Sequence, residues 1–303
     1  MIMKYTISYL TAAVLMLISM TAGAQALPFT AAEFGAENLG KAGADVTDGS
    51  TAYAAFSNPA AIAFSDSMVD AAAGYTMWAP TGGNIVTAGG SLKLGMLGFA
   101  AGFSYGMNPA YNITDANGMA SGTFSPTDMQ VSAGVSYRLL KVISFGANVS
   151  YATSTLSDKY SYGAVSADVF AMASLAGLKV TAGISNVGTS VKSATGAKFS
   201  LPTSVTVGAG YGISLLDKHS VELNIDADYY FDGGLAAVVG AEYGMNDFVF
   251  VRAGYRYSNN APMPSFASVG AGVKMLGIKL DVAYLLGSDT IGNTLAVGLG
   301  YSF

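Results

Sequence analysis

Alternation of apolar and polar residues is the dominant pattern of the chain after residue 67. In the stretch 129–139, MQVSAGVSYRL, every second residue is apolar, and the residues between them are Gln, Ser, Gly, Ser and Arg. Successive side chains of a strand point to opposite faces of a sheet, so a period of two predicts a β-strand. The same pattern recurs up to Phe303 in stretches of about 9 to 13 residues, the length that a tilted membrane-spanning strand requires.

The breaks between these stretches predict fourteen strands. Their expected ranges are 68–78, 84–94, 97–107, 127–139, 142–155, 163–175, 177–187, 202–214, 219–231, 235–244, 247–258, 265–275, 277–287 and 291–303. Short turns alternate with longer polar loops, and an even strand count is typical of bacterial outer-membrane barrels. The sequence therefore predicts an all-β fold, a 14-stranded antiparallel transmembrane β-barrel.

The second face of the strands separates this fold from a soluble β-sandwich, in which one face is wet. That face carries mostly small residues, as at Gly298, Gly300 and Ser302, which suit the inner wall of a barrel. Only 11% of the residues are charged, against about 25% in an ordinary soluble domain. The net charge of −5 and the lack of a basic cluster argue against nucleic acid as a partner.

The first 24 residues have the pattern of a signal peptide: basic Lys4, an apolar stretch over 7–20, and the small residues 22–24. A membrane anchor is the alternative, but the apolar stretch is short for one. We expect cleavage before Gln25 and export to the outer membrane, where membrane lipid and the barrel-assembly machinery are the expected partners. The predicted domains are a signal peptide (1–24), an N-terminal hatch or plug (25–67) and the barrel (68–303).

Residues 25–67 lack sustained alternation, and Pro59 provides no backbone N–H. A lipid-facing strand here would leave a backbone group unpaired in hydrocarbon, which costs several kcal/mol. The segment is therefore expected outside the barrel wall, either as a periplasmic tail or in the lumen. Its many apolar side chains favour a plug in the lumen.

Residues 34–64, FGAENLGKAGADVTDGSTAYAAFSNPAAIAF, resemble the N-terminal hatch of FadL-type outer-membrane proteins. The resemblance implies a 14-stranded barrel whose lumen is closed from the periplasmic side. Later stretches, including ISNVG (184–188), LPTSVTVGAGY (201–211) and GAEYGMNDFVFVRAGYR (240–256), resemble the PorV/PorQ branch of that superfamily in Bacteroidota. The hatch positions that match the family pattern, and that we expect to act in gating, are Gly40, Gly43, Asn58, Pro59 and Ala60.

The resemblance implies two functions that stay open at this point. The first is a type IX-like protein secretion or surface-interaction component of PorV/PorQ type, with secreted cargo proteins as partners. The alternative is a FadL-like channel that takes up long-chain fatty acids or other hydrophobic small molecules; a purely structural barrel is a third. No enzyme activity, cofactor or metal is expected, because the G-x-S-x-G stretch 102–106 lies within an alternating strand and the only histidine, His219, lies at a distant turn.

Charged residues on the predicted inner face form a candidate network. Its members are Glu222, Asp226, Asp228, Glu242, Arg252, Arg256, Lys279 and Asp281. Such a network either braces the wall or holds the hatch, since charges in a low dielectric need partners, or it forms a polar track for a solute.

Aromatic residues at the strand ends predict two girdles at the membrane interfaces. The outer girdle is expected to contain Tyr105, Tyr151, Tyr229, Tyr255 and Tyr284, and the inner girdle Tyr137, Tyr211, Tyr243 and Tyr301. Phe303 resembles the C-terminal recognition signal of outer-membrane barrels.

Overall fold

Fourteen antiparallel strands form a closed barrel in the computed structural model. The structure describes residues 25–47, 51–78, 82–115, 117–193, 195–215, 218–287 and 293–303, so the predicted signal peptide lies outside the described residues. The strands are β1 Val69–Trp78, β2 Gly83–Leu94, β3 Leu97–Met107, β4 Thr127–Leu140, β5 Ile143–Ser157, β6 Tyr160–Leu175, β7 Leu178–Gly188, β8 Ser204–Leu215, β9 His219–Tyr230, β10 Leu235–Met245, β11 Val249–Asn259, β12 Phe266–Met275, β13 Ile278–Gly287 and β14 Asn293–Ser302. Each strand pairs with its sequence neighbour, and β1 also pairs with β14, which closes the sheet. The predicted strand number and fold class are confirmed.

The alternation in sequence becomes an apolar outer surface and a polar inner one. On β4, Val131 and Val135 are 46% and 54% exposed, whereas the residues that follow them, Ser132 and Ser136, are 2% and 3% exposed. A soluble protein would bury the valines instead. A barrel with an apolar outer face and a polar inner face is suited to the hydrocarbon interior of a lipid bilayer. Among the residues that the structure describes, no helix has the length and apolar character needed to cross a membrane.

The two ends of the barrel differ in their connections. At the turn end, adjacent strands are joined by tight turns such as that between Leu94 and Leu97. At the loop end, two connections carry small hairpins: Tyr111–Thr114 pairs with Ala120–Phe124, and Val191–Lys192 pairs with Lys198–Phe199. These hairpins are not predicted from the sequence, because each pairing is only two to four residues long.

Residues 25–47 and 51–65, called the luminal segment below, pack against the inner face of the barrel wall. The segment contains the 3₁₀-helices Pro28–Ala31 and Pro59–Phe64 and one turn of α-helix, α1, at Ala36–Gly40. It begins at the loop end, where Gln25 forms a parallel bridge with Ser200. It ends at the turn end, where Arg138 Nη1 donates to the carbonyl oxygen of Ala63 at 3.2 Å and Lys93 Nζ donates to that of Ser65.

The course of the segment differs from the closure at one end that the family resemblance implies. Its first residues are held at the loop end by an apolar cluster that contains Leu27 together with Ala152, Ala164, Val191 and Leu201. Burial of these side chains stabilises the segment there, at the opposite end from Ala63 and Ser65. The segment therefore follows the length of the lumen.

Close backbone contact explains the small residues of the inner face. A Cβ added at Gly254 would overlap the backbone of Lys41, and one added at Gly146 would overlap the backbone of Ala60. Only glycine allows two backbones to approach this closely. Small residues on the inner face therefore do more than suit the inner wall of a barrel, since at Gly146 and Gly254 they make room for the luminal segment.

Candidate functional site

Two arginines of β11 join the barrel wall to the luminal segment. Arg252 is 3% exposed and faces inward, where its Nε lies 2.5 Å from Glu242 Oε2 and its Nη1 lies 2.6 Å from Asp281 Oδ1. Its Nη2 lies 3.6 Å from Glu37 Oε1 of α1, and Lys279 Nζ lies 3.5 Å from the other oxygen of Glu37. One cation therefore serves carboxylates from two wall strands and from the segment.

Arg256 repeats this arrangement four residues further along β11, nearer the loop end. It is 1% exposed, and its Nη2 lies 2.5 Å from Glu33 Oε1 of the luminal segment. Its Nη1 lies 3.8 Å from Asp228 Oδ2 of β9, and its Nε donates to the carbonyl oxygen of Ala42 at 3.4 Å. Buried ion pairs with satisfied hydrogen bonds fix geometry strongly, because breaking one leaves an uncompensated charge.

Two members of the predicted network, Glu222 and Asp226, make their contacts with residues other than these two arginines. Glu222 lies 4.0 Å from Lys179 and accepts a hydrogen bond from Asn224. Asp226 accepts a hydrogen bond from the backbone N–H of Val46 at 3.3 Å. The eight residues thus form several local groups, and most of these groups touch the luminal segment.

Sequence reasoning missed Glu33 and Glu37, which are the segment's contributions to the network. They lie in a stretch without alternation, so no strand pattern assigned them to a face. A signal did exist, because two carboxylates four residues apart in a segment expected inside the lumen need buried cations. Arg252 and Arg256, which were predicted to face inward from β11, were the available partners.

Burial raises the pKa values of two carboxyl groups in the luminal segment, those of Glu33 and Asp45. Burial raises the pKa of Asp45 to about 6, against the opposing effect of the Lys41 ammonium. Burial, with the neighbouring Asp45 carboxylate, also raises the pKa of Glu33 well above its ordinary value. Asn38 Nδ2 donates to Asp45 at 2.5 Å. The carboxyl groups of Glu33 and Asp45 therefore bind protons more tightly than exposed carboxyl groups do.

The predicted hatch residues occupy tight positions in the segment. Asn58 caps the second 3₁₀-helix by accepting a hydrogen bond from the N–H of Ala60 at 3.0 Å, and it donates to the carbonyl oxygen of Val46 at 2.7 Å. Pro59 is the first residue of that helix, where a missing N–H costs nothing. Gly43 has a φ of +82° and Gly40 packs against Gly270. Their role in gating stays a prediction.

The predicted girdle tyrosines divide by exposure. Six are 42–49% exposed on the outer surface: Tyr137, Tyr151, Tyr211, Tyr243, Tyr255 and Tyr301. Tyr105, Tyr229 and Tyr284 are half-buried. Phe303 is 69% exposed, and its backbone N–H donates to the carbonyl oxygen of Val69. The membrane-interface and assembly roles of these residues stay predictions.

Ser104, the central residue of the G-x-S-x-G stretch, is buried on the inner face of β3. His219 begins β9 at the turn end, where its Nδ1 lies 2.7 Å from the hydroxyl of Tyr243. The two side chains belong to different parts of the wall, and the strand–turn–helix setting of a nucleophile elbow is absent at Ser104 in the described structure.

Two apolar cavities lie beside Phe29 in the loop-end half of the lumen. The smaller, about 230 Å³, is bounded by Phe34, Trp78, Ile85 and Met263. The larger, about 540 Å³, is bounded by Leu27, Leu156, Tyr162, Val191 and Phe199. Pro28, Phe29, Asn108 and Asp128 line both. The volume of the larger cavity lies within the range of small-molecule sites, about 300–1,000 Å³, and such sites are typically apolar clefts with a few polar groups.

Replacing Arg252 with Met is expected to lower the free energy of unfolding by about 3–5 kcal/mol, because Glu37, Glu242 and Asp281 lose their shared buried cation. The measurement is denaturant unfolding in detergent micelles. The matched control is Lys274→Met, since Lys274 pairs with Asp247, whose side chain is 73% exposed. That change should cost less than about 1 kcal/mol. Equal losses in the two variants would contradict a structural role for the buried cation.

Comparison with solved structures finds a similar fold in proteins that share 10–13% sequence identity with this chain. The Ralstonia pickettii toluene transporter TbuX aligns with a TM-score of 0.63 and 12% identity, covering 89% of this chain and 98% of that one. The CymD monoaromatic hydrocarbon channel gives 0.62 and 10%, covering 89% and 97%. A Pseudomonas aeruginosa FadL homologue gives 0.56 and 13%, covering 93% and 100%. The chain matches no family model and no curated protein sequence.

Proposed function

We propose that this protein is a non-enzymatic outer-membrane channel for small hydrophobic solutes. The observation that carries the proposal is the pair of apolar cavities beside Phe29, inside a barrel whose outer surface is itself apolar. In this proposal the signal peptide is removed on export and the loop end faces outward. A solute enters at the loop end and rests against Phe29.

The luminal segment closes the rest of the path in this proposal. Side chains and backbone of the segment pack against the wall from Gly298 and Gly254 to Gly146. A solute bound beside Phe29 therefore passes further only when the segment moves relative to the wall. The structural neighbours support a channel of this kind, since TbuX is described as a toluene transporter and CymD as a monoaromatic hydrocarbon channel.

The secretion hypothesis and the assignment to the PorV/PorQ branch in Bacteroidota stay predictions from the sequence. Neither the structural neighbours nor the contacts described above favour a cargo-binding role over a solute channel. An interaction with cargo proteins would be detected as co-purification of secreted proteins with the tagged barrel.

Uptake of radiolabelled toluene by Gram-negative cells that express the protein in their outer membrane tests the channel proposal. Expression should raise the initial rate several-fold over cells carrying an empty vector. Ala32→Trp, which fills the smaller cavity, should return the rate towards that background. Ala120→Trp is the matched control, because Ala120 is exposed in the loop-end hairpin. A rate that expression leaves unchanged would overturn the proposal.

A further inference from the structure

A single carboxylate marks the wall that the two apolar cavities share. Asp128 begins the inward face of β4 at the loop end and lines both cavities. Asn108 Nδ2 donates a hydrogen bond to Asp128 Oδ2 at 3.0 Å and lines both cavities as well. An ionised carboxylate accepts several hydrogen bonds and donates none.

The neighbours of Asp128 on the wall leave its carboxylate uncovered. Its register partners are Gly106 on β3 and Ser154 on β5. Gly106 has no side chain, and Ser154 has a short one. Each of these two residues lines one of the cavities, so the carboxylate lies between small residues at the cavity surface.

No positive side chain balances Asp128 at this surface. The described lining of both cavities contains no Lys, Arg or His. The nearby hairpin carries Lys192 and Lys198, which are exposed, whereas their neighbours Val191 and Phe199 face the larger cavity. The residues outside the described ranges from 48 onward include no basic residue in the sequence.

We propose that Asp128 sets the solute class of the channel: it selects apolar molecules that carry a hydrogen-bond donor, such as alcohols and phenols, and rejects carboxylates, including fatty acids. This inference rests on the proposed function, because it assigns specificity to the same cavities. A hydroxyl group donates a charge-assisted hydrogen bond to the carboxylate of Asp128. A carboxylate meets a like charge in an apolar site whose described lining has no cationic side chain, and burying an unpaired charge is strongly unfavourable.

Trp78 provides a direct measure of binding. It is the only tryptophan of the chain and it lines the smaller cavity, so its fluorescence reports a ligand there. Cyclohexanol, methoxycyclohexane and cyclohexanecarboxylate make a suitable probe set, because they share one ring and absorb little where tryptophan does. They differ in offering a donor, only an acceptor, or a negative charge.

The titration is run at about pH 9, where an α-amino group is mostly neutral and carboxylates are ionised. This choice matters because Gln25 lines the larger cavity, and the predicted cleavage would place an α-amino group there. Cyclohexanol should bind about tenfold more tightly than methoxycyclohexane, since a hydrogen bond to a charged group contributes on that scale. Cyclohexanecarboxylate should bind roughly a hundredfold more weakly than cyclohexanol.

Asp128→Asn should bring the affinities for cyclohexanol and methoxycyclohexane to within about threefold of each other, because the amide is neutral and both donates and accepts. It should also reduce the hundredfold ratio for cyclohexanecarboxylate, because the like charge is removed while the cost of burying the probe's own charge remains. Asp158→Asn is the matched control, since Asp158 is an exposed carboxylate outside the cavity linings, and its ratios should equal those of the unchanged protein. Heat-modifiable migration on gels verifies that each variant folds.

The outcomes separate the two proposals. Equal affinity for the three probes in the unchanged protein, or ratios that Asp128→Asn leaves intact, would overturn the selectivity inference while the cavities still bind solutes. If none of the probes changes Trp78 fluorescence and equilibrium dialysis with radiolabelled cyclohexanol also shows no binding, the proposed solute site itself is wrong.

Discussion

Deleting residues 25–64 is expected to convert a closed barrel into an open pore. The deletion removes both 3₁₀-helices, α1 and the luminal carboxylates Glu33 and Glu37, and it leaves β1, which begins at Val69, intact. Without the segment, the lumen is lined by Ser, Gly, Asn and charged side chains. Water readily fills a lumen with such a polar lining. Conductance of single barrels in planar bilayers should rise by at least about tenfold, as expected for a water-filled barrel.

The barrel wall should survive this deletion because its pairing is independent of the segment. Each strand is hydrogen-bonded along its length to two neighbours, and Arg252 keeps Glu242 and Asp281 as partners. Heat-modifiable migration of the deleted protein establishes that it still forms a barrel. Unchanged conductance in a correctly formed barrel would show that the segment does not close the lumen and is only a tail.

The strands could be predicted from the sequence because their environment imposes a simple rule. Lipid on one face and a crowded lumen on the other enforce a period of two, and the predicted ranges differ from the observed ones by no more than three residues. The largest difference lies at β6, which begins at Tyr160 rather than at 163. There the strand leaves the alternating pattern and continues as a polar extension at the loop end.

The course of the luminal segment could not be predicted in the same way. Its position depends on contacts between residues far apart in sequence, such as Glu33 with Arg256 and Asn58 with Thr181. Neither period nor composition encodes these pairs. The cavities beside Phe29 arise from the same packing, so the role of Asp128 becomes visible only when β3, β4 and the segment are placed together.

Covalent attachment of the luminal segment to the wall tests whether the segment must move. The chain has no cysteine, so an introduced pair forms the only disulfide. Ala36 Cβ lies 3.5 Å from the position that a Cβ would take at Gly298, within the range of about 3.5–4.5 Å that disulfides require. The double variant Ala36→Cys, Gly298→Cys therefore joins α1 to β14.

A disulfide within the wall is the matched control. Ala72 on β1 is the register partner of Gly300 on β14, and a Cβ at Gly300 would lie 3.9 Å from that of Ala72. The double variant Ala72→Cys, Gly300→Cys joins two wall strands and leaves the segment free to move. Both variants experience the same oxidant and reductant, so differences between them report the segment alone.

Uptake of radiolabelled toluene through the oxidised Ala36→Cys, Gly298→Cys protein is the most direct test of a hydrophobic-solute channel closed by its luminal segment. The predicted result is loss of uptake on oxidation and recovery on reduction, with uptake through the wall-disulfide control unchanged throughout. Full uptake through the oxidised segment-to-wall variant would contradict the account, because the solute would then cross without displacing the segment.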